Sequence, residues 1–194
     1  MTIFEKAIRD AIATIESLRP LQSIHERAAG IVGQCLSNGG KLLVCGNGGS
    51  AADAADFATE YACRFVTDRR PYPALNLAAC GSLLTATGND YGYDEVFARQ
   101  VRAFGQRGDV LVAITTSGNS PSILSAIAAA KAGGLHSIAL LGRDGGRARG
   151  LADLELTVPS TITARIQEAH KFLLHTLCEI VEERWLLPME KAPL

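Results

Sequence analysis

Five short apolar runs set the tightest limit on how this chain can fold. They are KLLVC (41–45), PALNL (73–77), DVLVAIT (109–115), HSIALLG (136–142) and DLELTVP (153–159). A strand that is apolar throughout has no face to give to water, so it must be covered on both sides. Helical spacing fills the intervals. Ile3, Ala7, Ile8, Ala11, Ile12, Ile15 and Leu18 recur every three or four residues, and so do Leu21, Ile24, Ala28, Ile31, Val32 and Leu36. Pro20 breaks these into two N-terminal helices, and NGG (38–40) ends the second. Further helices are predicted near 82–87, from Pro121 to Lys131, and over about 163–187. Strands alternating with helices imply an α/β fold in three layers, with a five-stranded parallel sheet between helices. The 194 residues suit a single domain, 1–194, and contain no linker or low-complexity segment.

Charge and cysteine usage exclude several functions. The 19 Lys and Arg residues are scattered and balanced by 20 Asp and Glu, so nothing here attracts nucleic acid. No apolar run approaches the ~18 residues of a membrane helix, and acids at Glu5 and Asp10 argue against a secretory signal. The five cysteines are odd in number, widely spaced and without a CxxC pair. That pattern fits a reducing, cytoplasmic setting and disfavours a cysteine metal site.

Two Gly/Ser-rich loops follow strands and lead into helices, at 42–61 and 110–131. Ligands of open parallel sheets bind beyond the carboxyl ends of the strands, where both loops fall. The second loop carries Thr115, Thr116, Ser117 and Ser120 just before a helix. Hydroxyls, the free N–H groups of a first helical turn and the helix dipole can together hold a phosphate without arginine. Ser120 also suits an N-cap with Pro121 after it, but a cap needs only one hydroxyl. Neither loop has the spacing of a Walker A or dinucleotide fingerprint, so no nucleotide cofactor is expected. In the first loop, Gly46, Gly48 and Gly49 allow a tight turn or close approach to a ligand, and Ser50 is of a type that can cap the next helix.

Along that helix Asp53, Asp56, Phe57 and Glu60 share a stripe. Such a stripe is a solvated acidic edge unless something brings it into the cleft, where a carboxylate can act as a general base. The final helix offers a matching stripe, Gln167, Lys171 and His175, with His170 on the opposite side. Local spacing does not say whether the two stripes meet. Tyr91 and Tyr93 are read as packing or interface residues, and the arginines, Arg69 among them, receive no role.

GNGGSAADA (46–54), Glu60, GNDYGYDEVFARQV (88–101), GDVLVAITTSGNS (108–120), GRDGG (142–146), VPS (158–160) and RIQEAH (165–170) with His175 resemble the phosphoheptose isomerases. These are sugar-isomerase (SIS) domain enzymes, and the resemblance covers nearly the whole chain. It implies the SIS fold, assembly as a homotetramer with sites at subunit contacts, and packing of residues 1–38 in that oligomer. It implies conversion of sedoheptulose 7-phosphate to D-glycero-D-manno-heptose 7-phosphate. Asn47, Gly48, Gly49, Ser50, Asn89, Asp90 and Gln167 would bind the sugar phosphate, with Thr115, Thr116, Ser117 and Ser120 on the phosphate. Glu60 and His175 would be the acid/base pair. Many members bind zinc through His, Glu, Gln and His; here Asp56 stands in the first position, with Glu60, Gln167 and His175 after it. This oxygen-rich set accommodates Zn, Mg or Mn, and Asp56 equally suits pairing with a cation and no metal. The alternatives are an SIS isomerase of another ketose phosphate, or a non-catalytic protein that senses sugar phosphate or binds protein.

Overall fold

The computed structural model describes residues 1–190, with side chains to 188. Two N-terminal helices, α1 (Ile3–Glu16) and α2 (Gln22–Ser37), are joined by a 3-10 turn that holds Pro20. Thr2 and Glu5 close a capping box at the start of α1. The chain then alternates: β1 (Leu42–Gly46), α3 (Gly49–Ala62), β2 (Ala74–Asn76), α4 (Gly81–Tyr91), α5 (Ala98–Phe104), β3 (Val110–Thr115), α6 (Pro121–Gly133), β4 (His136–Gly142) and β5 (Leu154–Val158). It closes with α7 (Thr163–Val181), a π-helical turn at Glu182–Leu186 and α8 (Leu187–Glu190). All strands pair in parallel, in the order β2-β1-β3-β4-β5.

The central strands are buried at every position of β1 and β3, as their unbroken apolar runs require. Successive side chains point to opposite faces. Leu42, Val44, Val110, Val112, Ile138 and Leu140 therefore pack under α2, α3 and α7. Leu43, Cys45, Leu111, Ala113, Ala139 and Leu141 meet α5 and α6 on the other side. Phe57, on the predicted acidic stripe of α3, belongs to the first of these cores. Among the described residues, no helix is long and apolar enough to cross a membrane.

Several boundaries depart from the sequence expectation. β2 shrinks to three residues, since it is an edge strand entered from Pro73. α5, seven residues long, was too short for a periodicity reading to detect. The final helix does not run unbroken to 187: it widens at Glu182, whose buried carboxylate reaches back to the segment after α3.

The sheet order places the site. From β1 the chain moves outward to β2, and it returns on the other side of β1 as β3. The loop after β1 leads to α3 on one face, and the loop after β3 leads to α6 on the other. A crevice opens between them at this topological switch point.

Candidate active site

The turn from β1 into α3 begins the site. Gly48 takes φ +56, a left-handed conformation that favours glycine, and serves as the N-cap. Ser50 is thereby the second residue of α3; it does not cap the helix as the sequence suggested, and it is buried. Gly49 lets Gln167 come close: a Cβ there would lie 2.1 Å from Gln167 Nε2, and the amide would have to turn away. The structure thus brings Gln167 of α7 against the first glycine loop.

The turn from β3 into α6 faces it. Ser120 is the N-cap by position, with Pro121 after it, but its hydroxyl makes no capping bond. It sits instead 3.5 Å from Thr115 Oγ1, which accepts from the Gly118 N–H at 3.2 Å. The Ser117 hydroxyl accepts from the Asn119 N–H at 3.2 Å. Between the two turns lies a cavity of about 170 Å³ lined by Asn47, Ser50, Ile114, Thr115, Thr116, Ser117 and Ser120. No charged side chain lines it. An anion there would be met by hydroxyls and the first-turn N–H groups of α6.

Asn47 is oriented at both ends of its amide. Its Nδ2 donates to Ser122 Oγ at 3.0 Å, and its Oδ1 accepts from the Tyr93 hydroxyl at 2.8 Å. Tyr93 is thus tied to the site, a role that no local pattern in its segment revealed. Asn89 and Asp90 stand apart. Both are exposed at the end of α4, Asn89 Nδ2 donates to Asp90 Oδ1 at 2.8 Å, and neither lines the cavity.

The two helical stripes do meet. Gln167 lies against Gly49, Lys171 Nζ lies 3.1 Å from Asp53 Oδ1 and 2.7 Å from Asp56 Oδ2, and His175 Nε2 lies 3.1 Å from the same Asp56 oxygen. Ligand atoms of Asp56, Glu60 and His175 all fall within 4.8 Å of one another, a group able to hold a metal ion. Asp53 is buried; Asp56, Glu60, Lys171 and His175 are half-buried. The Lys171 ammonium, and then His175, hold the Asp56 carboxyl below the usual carboxylate range against the effect of burial. Burial works against the charge of Lys171, but Asp56 and Asp53 outweigh it and raise its pKa. His170 takes the structural role: Nε2 meets the Leu141 carbonyl at 3.0 Å in the core, and burial lowers its pKa.

Arg69 supports this arrangement from beneath. It donates to the Glu60 carbonyl at 2.7 Å and the Tyr61 carbonyl at 3.3 Å, and pairs with Glu182 at 2.8 Å. It thereby satisfies the Glu60 carbonyl in the last turn of α3 and shares the Tyr61 carbonyl with the Tyr72 N–H.

The SIS domain family matches residues 4–142. A phosphoheptose isomerase of Aliarcobacter butzleri is 47% identical over 176 residues, spanning 91% of this chain and 92% of that protein. One from Geobacter sulfurreducens is 52% identical over 156 residues, 80% of this chain and 82% of that protein. This chain belongs to the phosphoheptose isomerase family. The phosphoheptose isomerase structure from Neisseria gonorrhoeae superposes with a TM-score of 0.87 at 43% identity, covering 94% of this chain and 100% of that one. Vibrio vulnificus NanR, solved with ManNAc-6P, matches 97% of this chain and 65% of its own at a TM-score of 0.70. At 14% identity it shares the fold alone. The five-stranded parallel sheet with helices on both faces is that of the phosphoheptose isomerases, as the sequence motifs implied.

Proposed function

We propose that the chain isomerises sedoheptulose 7-phosphate to D-glycero-D-manno-heptose 7-phosphate. The observation that carries this reading is the meeting of Glu60 and His175 across α3 and α7, on a stripe that begins where Gln167 meets the glycine turn, next to a hydroxyl-lined crevice that suits a phosphate. Thr115, Thr116, Ser117 and Ser120 hold the phosphate, while Asn47, Gly48, Gly49, Ser50 and Gln167 line the path of the sugar. Asn89 and Asp90 join the substrate only if a subunit contact or movement of α4 brings them in.

The reaction needs two proton routes. Glu60 removes a proton from C1 of the open-chain ketose. The C1–H electrons form the C1=C2 bond, and the carbonyl electrons pass to O2, giving an enediolate. His175 carries the O1 proton to O2, C1 becomes the aldehyde, and Glu60 returns its proton to C2. No atom is gained or lost, and the enzyme ends as it began. An imidazole suits the oxygen route because its ordinary pKa is near neutral.

The zinc implied by the resemblance would be held by Asp56, Glu60 and His175, with Gln167 two turns from His175 on the same stripe of α7. When bound, a divalent ion would polarise the substrate carbonyl. The donor atoms suit it, but the Lys171 ammonium does not: it already occupies Asp56 Oδ2 at 2.7 Å. No step above is routed through a metal.

Exposed Ile3, Phe4, Ile8 and Ile12 on α1 support packing of residues 1–38 between subunits of a homotetramer, within a single 1–194 domain. Free cysteines, two of them exposed, support a cytoplasmic setting.

The test is turnover of sedoheptulose 7-phosphate by the purified chain and by Glu60→Gln. Loss of a general base should lower kcat by about 10²–10⁴-fold. Near-normal turnover by Glu60→Gln would remove Glu60 from the chemistry. Stabilisation by the sugar phosphate without turnover would favour a sensing role, and turnover of another ketose phosphate alone would change the substrate.

A further inference from the structure

The contact between α3 and α7 sets three carboxylates, Asp53, Asp56 and Glu60, against one lysine and one histidine. Lys171 is the hub. An ammonium has three N–H donors. Two are directed to Asp56 Oδ2 at 2.7 Å and Asp53 Oδ1 at 3.1 Å. The side chain is 33% exposed, and among the described residues the ammonium has no third acceptor. Asp56 Oδ2 is shared with His175 Nε2 at 3.1 Å. A divalent ion bound to Asp56, Glu60 and His175 would therefore displace or crowd a positive charge already seated on one of its own ligands. Like charges at that range repel strongly in a half-buried site.

We propose that the Lys171 ammonium, rather than a divalent ion, is the resident cation of this site. It neutralises Asp53 and Asp56, and its third N–H meets the substrate oxygen that becomes negative in the enediolate. No bond to Lys171 forms or breaks, and it keeps its proton throughout; Glu60 and His175 move the protons. The substrate half of this proposal rests on the isomerase reading. The half concerning the cation does not.

The experiment has two readouts. Zinc is titrated calorimetrically into the wild-type chain, Lys171→Met and Lys171→Arg at equal protomer concentration. Turnover of sedoheptulose 7-phosphate is measured on the same samples with and without chelator. Removing the charge should tighten zinc binding by about 100-fold or more in Lys171→Met, whereas Lys171→Arg stays near wild type. Wild-type turnover should be indifferent to chelator. Lys171→Met should lose about 100-fold in kcat with KM little changed, the pattern of a contact made mainly in the transition state. Lys171→Arg should retain part of it.

Wild-type zinc affinity equal to that of Lys171→Met would overturn the cation assignment. So would wild-type turnover abolished by chelator and restored by zinc. A kcat for Lys171→Met within about threefold of wild type would overturn the catalytic role. Near-UV circular dichroism checks the fold of the variant, and Lys171→Gln replaces it if the methionine chain unfolds. If the wild type does not turn over sedoheptulose 7-phosphate at all, the isomerase reading fails, and the zinc comparison alone still decides whether Lys171 holds the cation position.

Discussion

Removing Glu182 should cost this protein more stability than any substitution in the site itself. Glu182 and Arg69 form a buried ion pair, with side chains 5% and 1% exposed and Nε–Oε2 at 2.8 Å. Glu182 Oε1 also accepts from the Val66 and Thr67 N–H groups at 3.2 and 2.8 Å, and Arg69 donates to the carbonyls of Glu60, Tyr61 and Arg70. Glu182→Ala leaves a buried guanidinium without its counter-ion and two backbone donors without acceptors. Breaking such a pair costs about 3–5 kcal/mol, and each kcal/mol moves Tm by about 2–4 °C at this chain length, so the melting point should fall by about 6–20 °C. Urea and thermal unfolding are measured at fixed protomer concentration, because association would otherwise shift both. The double variant Arg69→Met/Glu182→Leu should recover part of the loss but not all, since the N–H groups of Val66 and Thr67 stay unsatisfied. The pH dependence has a definite sign. Burial pushes the Glu182 carboxyl up, but the Thr67 N–H and Arg69 outweigh it and hold it below its ordinary value. Its contribution is thus complete above the ordinary carboxylate range and is lost as pH falls through the folded value. Glu182→Gln should flatten that acid limb. A Tm for Glu182→Ala within about 2 °C of wild type would refute the reasoning.

Two variants separate binding from folding. Ser120→Ala removes a hydroxyl that makes no capping bond, so Tm should stay within about 2 °C, while KM for the sugar phosphate rises about 10-fold from loss of a charge-assisted hydrogen bond. A large fall in Tm with unchanged KM would return Ser120 to a capping role. Tyr93→Phe removes the 2.8 Å bond to Asn47 Oδ1 from an exposed ring. It should raise KM by about 2–10-fold without altering Tm, and unchanged steady-state kinetics would show that Asn47 needs no such hold.

The fold was legible where burial is complete. β1, β3 and β4 lie within a residue of their apolar runs, because a strand covered on both faces must be apolar at each position. α5 was not legible, because a helix of seven residues leaves too little periodicity to read, while β2 falls inside its apolar run but is cut to three residues at the sheet edge. Ser50 and Ser120 show the limit of local rules. Both have the residue type of a cap, yet Gly48 takes the cap position before one, and the hydroxyl of the other turns toward Thr115. Tyr93 reached the site through tertiary placement alone.

The stripes on α3 and α7 were each visible from spacing, and their meeting was not. It depends on both helices covering the same face of the sheet, which follows from strand order rather than from any local pattern. Charge makes the meeting necessary. α3 carries Asp53, Asp56 and Glu60 over a face that also buries Phe57, and carboxylates there need compensation. A cation must therefore face them, whether an ammonium or a metal ion. α7 supplies one at the matching spacing, so that Lys171 reaches Asp53 and Asp56 together while His175 takes the next turn beside Glu60. A single ammonium thus seats Asp53 and Asp56 together, and under the cation assignment proposed above the residue at position 171 sets whether that pair is open to a metal ion.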